Sequence, residues 1–246
     1  MNDPSPAAGN IAATVFQDLR RAILSGEFSA GERLPGEREL AQKYQTNRNT
    51  LREAVRRLEH ARLVTVRHGQ GVTVSDFRKT GTMELLPPFL ETSSDLGEIA
   101  HLLEDILPAR LLVLEFATKL ASDRASPDDV ARLRDITDLL IAAFDRGEPV
   151  IIAHGFQRWL DALIEAGHSV AVRWIANPFL DAYRELLDRF PALWVLEPSF
   201  PQHLRDVASS IERGDKDAAV VALRGYYERV DRALMQTLSG VMKSRS

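Results

Sequence analysis

The run RLPGERELAQKYQTNRNTLREAVRRLEHARLVTVRHGQGVTV, residues 33–74, leaves few folds open. A short helical pattern over 37–44 presents Leu40, Ala41 and Tyr44 on one side, and QTNRN breaks it. A second pattern over 48–60 turns Leu51, Val55 and Leu58 inward. Arg48, Asn49, Arg52 and Arg56 fall on the opposite face, about one turn apart. LVTV and VTVS then flank RHGQG, and two β-branched runs joined by a glycine-containing turn predict a hairpin. Upstream, residues 10–25 place Ile11, Val15, Phe16, Leu19 and Ile23 on one helical stripe, with Asn10 as the expected N-cap and Gly26 as the stop. Helix, short helix, turn, helix and hairpin predict a winged helix-turn-helix with a small β-hairpin wing.

The charge distribution fits such a reading head. Residues 1–78 hold 12 Lys/Arg against 9 Asp/Glu, net +3, although the whole chain is −4. Within 33–67 the count is 9 against 4, net +5. A basic segment on an acidic body suits a polyanionic partner, the alternative being an ordinary solvated face. The second helix can lie in a major groove, where Arg and Asn side chains reach guanine and adenine edges. Gly69 and Gly71 leave the hairpin tip free of bulk, with Arg67 and His68 beside it.

Beyond Ser75 no strand pattern occurs, and the remainder predicts an all-α helical bundle, so that the chain as a whole is mainly α. A helix over 95–122 is expected to kink at Pro108. Ser126 and Pro127 open the next, which runs to about 146. Others fit 149–166, 170–190 (with a break near Asn177-Pro178), 199–213 and 215–240, and Gly147, Gly167 and Gly214 are expected C-caps. The domains are then 8–76 for DNA binding, 77–83 as linker and 84–242 for effector binding and dimerisation. At 246 residues the chain is long enough for two such cores. It has no cysteine, so disulfides and thiolate metal sites are excluded. The start lacks the pattern of a signal peptide, and the most apolar run, 102–121, carries too many charges to span a bilayer. The expectation is a cytoplasmic protein with no membrane partner. No nucleophile elbow, HExxH or Gly-rich phosphate loop occurs, so an enzyme is not expected.

These residues resemble the winged-helix domain of GntR-type bacterial transcription regulators. The shared pattern is Leu34, Pro35, Glu37, Arg38, Leu40 and Ala41, then Arg48, Thr50, Leu51, Arg52, Glu53, Ala54, Val55 and Leu58, then Gly69 and Gly71. The helical remainder, with its IERGDKDAAVVAL segment, is similar to the ligand-binding domain of the FadR-type subgroup. The wing is closest to that of the fatty-acid regulator which gives the subgroup its name. The resemblance implies a homodimer on an inverted-repeat, double-stranded DNA operator. It implies DNA contacts from Arg38, Arg48, Asn49, Thr50 and Arg52, and from His68 and Gly69 at the wing tip. Arg38 and Arg48 would read bases and Arg52 would contact phosphate.

Many members of the subgroup hold a metal with one Asp and three His, the Asp and first His four apart on one helix. This chain has no Asp followed by His at i+4, and Leu204 and Tyr226 stand at the two later ligand positions. His154 and His203 remain without a ligand set, so neither a metal nor a cofactor is expected. The effector must then be held by side chains. Arg110 matches a recurrent arginine suited to an anionic group, and Leu114 replaces a usual glutamate. Tyr183 and Tyr226 are candidate pocket phenols, core packing being the alternative for each. The expected effector is a fatty acyl-CoA or related lipid metabolite held in an apolar cavity of ligand size. The alternative is a small organic acid.

Overall fold

The computed structural model describes residues 6–67, 69, 71–93, 95–189 and 197–245. The chain divides into two compact units, 1–95 and 96–246. Among the described residues no helix is long and apolar enough to cross a membrane.

The first unit opens with α1 (Pro6–Leu24). It begins before Asn10, which therefore lies inside the helix rather than capping it. Its buried stripe is Ala12, Val15, Leu19 and Ile23, while Ile11 is 39% exposed and Phe16 only half-buried beneath the Arg20 guanidinium. The small Ala12, and not Ile11, takes the close approach at the start of the stripe. Gly26, at φ +81°, ends the helix as expected. Next come α2 (Glu37–Lys43) and α3 (Arg48–His60), which pack on one another, with α1 also against α3. Thr50, Leu51, Ala54, Val55 and Leu58 form the buried face of α3. Asn47 caps that helix, its side-chain oxygen accepting the Thr50 N–H at 2.9 Å. Asn47→Ala is expected to destabilise the unit by about 1 kcal/mol through loss of this cap. Chemical denaturation would measure it, and an unchanged midpoint would show that the cap is dispensable.

Strands β1 (Val64–Arg67) and β2 (Gly71–Val74) form the wing, paired Val64↔Val74 through Arg67↔Gly71. Gly69 and Gly71 both adopt positive φ, which glycine takes without strain. Residues 31–34 lie along the free edge of β2: Leu34 N–H donates to Val72 O and Val74 N–H to Glu32 O.

The sequence places a linker at 77–83. The structure instead forms α4 (Phe77–Thr80), a 3-10 turn (Met83–Leu85) and α5 (Leu86–Thr92), all within the first unit. Two contacts tie this segment back and one joins its own two helices. The Thr80 hydroxyl donates to Arg62 O at 2.9 Å, Phe77 and Phe89 lie 6.0 Å apart, and α5 packs on α1. The buried run from Leu86 to Leu90 supplies the apolar face.

The second unit is all helical among its described residues: α6 (Leu96–Arg124), α7 (Pro127–Asp145), α8 (Pro149–Ala166), α9 (Val170–Arg189), α10 (Phe200–Glu212) and α11 (Lys216–Arg245). Ser126 and Asp129 form a capping box at the start of α7, as the sequence predicts in part from Ser126 and Pro127. Helix α9 continues through Pro178, and α6 through Pro108. Buried residues on either side, Leu107 and Leu114 in one and Ala176 and Ala182 in the other, hold both helices in place against the missing N–H. Gly147 and Gly214 take positive φ at helix ends, but after α8 the left-handed residue is His168, not Gly167. The core centres on Phe156, Trp159, Leu163 and Phe200.

Candidate nucleic-acid interface and effector cavity

The outward face of α3 carries Arg48, Asn49, Arg52 and Arg56, all exposed. The side chains of Arg48 and Asn49 make no hydrogen bond or ion pair among the described residues, and the same holds for Arg38 on α2. Arg48 is the first residue of α3, where the helix dipole disfavours a cation by roughly 0.3–1 kcal/mol. Arg52 differs: its Nε and Nη2 donate to both oxygens of Glu37 at 2.9 and 3.1 Å. That bond, helped by the nearby charges of Arg52 and Arg48, holds the Glu37 carboxyl below its usual range against the opposing cost of desolvation.

Thr50 does not belong with this set. It is only 5% exposed and stands with Ala54 and Leu58 on the buried stripe. Spacing explains why: positions 50, 54 and 58 repeat every fourth residue, as the inner face does. Gly69 is exposed at the wing tip, and Arg67 is exposed at the end of β1. His68 lies outside the described residues. Two features of the face escaped the sequence. Glu37 and Arg52 are fifteen residues apart on different helices, and no local spacing rule pairs them. Asn47 reads as part of a helix break, although an Asn three residues before Thr50 is a legible cap signal.

In the second unit a cavity of about 30 Å³ is lined by Arg110, Val113, Leu114, Leu160, Ile164, Ala176, Phe179, Leu180 and Tyr227. That is room for about one water, so the ligand-sized cavity expected from the sequence is not present in this arrangement. Closely packed aliphatic side chains from α6, α8 and α9 fill it. Arg110 lies at its edge. Its Nη2 donates to Asp231 at 2.7 Å, its guanidinium sits 4.5 Å from the Tyr227 ring centroid, and its buried Nε has no partner. Leu114 faces the cavity, as the less polar pocket read from the sequence requires.

Of the two expected phenols, Tyr226 does not line this cavity; its neighbour Tyr227 does. Adjacent residues on a helix point about 100° apart, and both tyrosines are buried, so periodicity alone does not choose between them. Burial pushes both phenols well above their ordinary range. Tyr183 is on α9, and its side chain lies outside those described. Tyr226 stacks on His203 at 4.1 Å between centroids, with Trp159 on His203 at 5.8 Å. Leu204 is also buried, and His154 is exposed. Among the described residues no three His, Asp or Glu side chains cluster as metal ligands would. A further pair joins α6 to α11: both oxygens of the buried Glu115 accept from the exposed Arg224, at 2.6 and 2.8 Å.

Comparison with known proteins agrees with this geometry. Residues 11–74 match the model of the bacterial regulatory proteins of the gntR family, and residues 105–229 match the FCD domain. The chain is 31% identical over 231 residues, 93% of each chain, to the HTH-type transcriptional regulator Mce2R of Mycobacterium tuberculosis. It is 30% identical over 155 residues to the fatty acid metabolism regulator protein of Shewanella halifaxensis, covering 56% of this chain and 64% of that one. Among solved structures, a GntR-family regulator from Pseudomonas syringae superposes with a TM-score of 0.51 at 22% identity, covering 100% of this chain and 92% of that one. The winged helix, the helical second unit and these matches together show that the chain belongs to the GntR family and is a transcription regulator of the FadR type, with an FCD domain for its effector.

Proposed function

We propose that the protein acts as a homodimer that binds an inverted-repeat operator through Arg38, Arg48, Asn49, Arg52 and the wing tip around His68 and Gly69, and that an acyl-CoA or related lipid-derived thioester lowers this affinity. The observation that carries the effector reading is the aliphatic cavity ending on the unpartnered Nε of Arg110. Apolar walls suit an alkyl chain, and a guanidinium edge suits an anionic or carbonyl oxygen. The relatives named as fatty acid metabolism regulators point the same way. Because the cavity holds about one water as it stands, binding has to part α9 from α6 or α8. This supplies two arrangements of the effector unit for a ligand to choose between. A tenfold loss of operator affinity needs about 1.4 kcal/mol of such preference. A second reading, a small organic acid, is favoured by the small cavity and its single guanidinium.

The test is a titration of acyl-CoAs of several chain lengths, and of short hydroxy and dicarboxylic acids, into wild-type and Arg110→Ala protein. The protein is bound to the duplex it selects in vitro. The expected result is release by long acyl chains and a weaker response in Arg110→Ala. Release by short acids alone would replace the first reading with the second.

A further inference from the structure

We propose that Glu37 is a positioning residue for DNA recognition: it converts Arg52 from a mobile point charge into an oriented hydrogen-bond donor, and so holds down binding to the wrong DNA. The proposal rests on reading the outward face of α3 as the DNA-facing surface.

Arginine carries five N–H donors in a rigid fork. Glu37 takes two of them, one on Nε and one on Nη2, and leaves the two on Nη1 and one on Nη2 directed away from the pair. No other hydrogen bond or ion pair among the described residues fixes Arg52, whose side chain is 57% exposed. Glu37 in turn is fixed from its own side. As the first residue of α2 it stands at the positive end of that helix, and Arg48 adds favourable charge. The carboxylate is therefore bonded to one arginine of the candidate reading face and feels the charge of a second.

The consequence follows from how proteins bind DNA. Affinity for any sequence grows with the number of cations that replace counterions on phosphates. Specific affinity needs donors in fixed directions. Pairing Arg52 with Glu37 cancels most of its charge at a distance but keeps three directed N–H groups. Free of Glu37, the same arginine would reach for whichever phosphate is near.

The experiment uses full-length wild type, Glu37→Gln, Arg52→Gln and the double variant. Each is titrated with a mixed-sequence duplex and with the duplex selected by the wild type, from about 50 to 200 mM salt. For Glu37→Gln on mixed-sequence DNA, the slope of log affinity against log salt should steepen by about 0.9 per winged helix engaged. The ratio of selected to mixed-sequence affinity should fall severalfold. In the Arg52→Gln background, adding Glu37→Gln should leave the slope unchanged, because Glu37 acts through Arg52. An unchanged slope in Glu37→Gln, or steepening that persists without Arg52, would overturn the proposal. Thermal unfolding checks that each variant folds. If Glu37→Gln does not, Glu37→Ala tests the same point, since it removes the same negative charge from beside Arg52 and should steepen the slope in the same way. A wrong face assignment shows separately, as Arg48→Ala without effect on selectivity.

Discussion

Arg48→Ala is expected to lower the ratio of operator to mixed-sequence affinity at least tenfold while leaving the fold intact. A bidentate arginine–guanine contact contributes about 1–3 kcal/mol of discrimination, and each 1.4 kcal/mol is a factor of about ten. In a symmetric dimer the contact is lost in both half-sites. Stability should not suffer. The Arg48 side chain is exposed, makes no bond or ion pair among the described residues, and opposes the dipole of α3 at its first position. Removing its charge should leave the unfolding temperature unchanged or slightly higher. That combination, worse recognition without loss of stability, separates a reading residue from a structural one. Competition binding with both duplexes measures the first quantity and calorimetry the second. Wild-type selectivity in the variant would remove Arg48 from the interface.

The parts of this molecule that sequence reveals are those set by local period. Helix α3 spans 48–60 as its pattern predicts, and the wing pairs around the glycines that its turn needs. Helices α7 and α8 begin at the prolines that mark their first turns. What period does not encode is which of two neighbouring residues faces inward, as with Tyr226 and Tyr227. Nor does it encode which distant charges meet. Arg110 and Asp231 are 121 residues apart, and Glu115 and Arg224 are 109 apart. Those pairs exist only because α6 and α11 pack together. Thr50 came into the expected reading set through resemblance, and its own register on α3 argues against it. The cavity beside Arg110 is the least legible feature, because its volume depends on how closely aliphatic side chains from three helices interlock. Sequence states their types but not their spacing.

The stability of the helical unit is expected to fall as the pH drops from 6.5 towards 4.5, and His203 is the reason. Its ring is 3% exposed, stacked on Tyr226, with Nδ1 at 3.3 Å from the carbonyl oxygen of Ala222. A carbonyl only accepts, so Nδ1 carries the proton and Nε2 is left as a buried lone pair without a partner. Burial pushes the pKa down from 6.5 to about 3; the Ala222 bond opposes the shift, and the Arg229 charge assists it. Between those two values the unfolded chain binds a proton that the folded chain refuses. Stability is therefore fully present above 6.5 and declines on acidification by about 1.4 kcal/mol per pH unit, or roughly 2–3 kcal/mol by pH 4.5. The carboxylates titrate mostly below this window and enter only at its lower end. Glu115, held low chiefly by its Arg224 bond, and Asp129, held low chiefly by Ser126, have ordinary values of 4.5 and 3.8, and most of their contributions are lost below these. His203→Phe keeps a flat ring in the stack and removes the titrating nitrogen. Its stability should vary much less than that of the wild type from pH 6.5 to 4.5, as followed by urea unfolding at each pH. Parallel curves for the two proteins would show that some other group takes up the proton. The neutral ring also means that operator binding near neutral pH should not respond to protonation of His203.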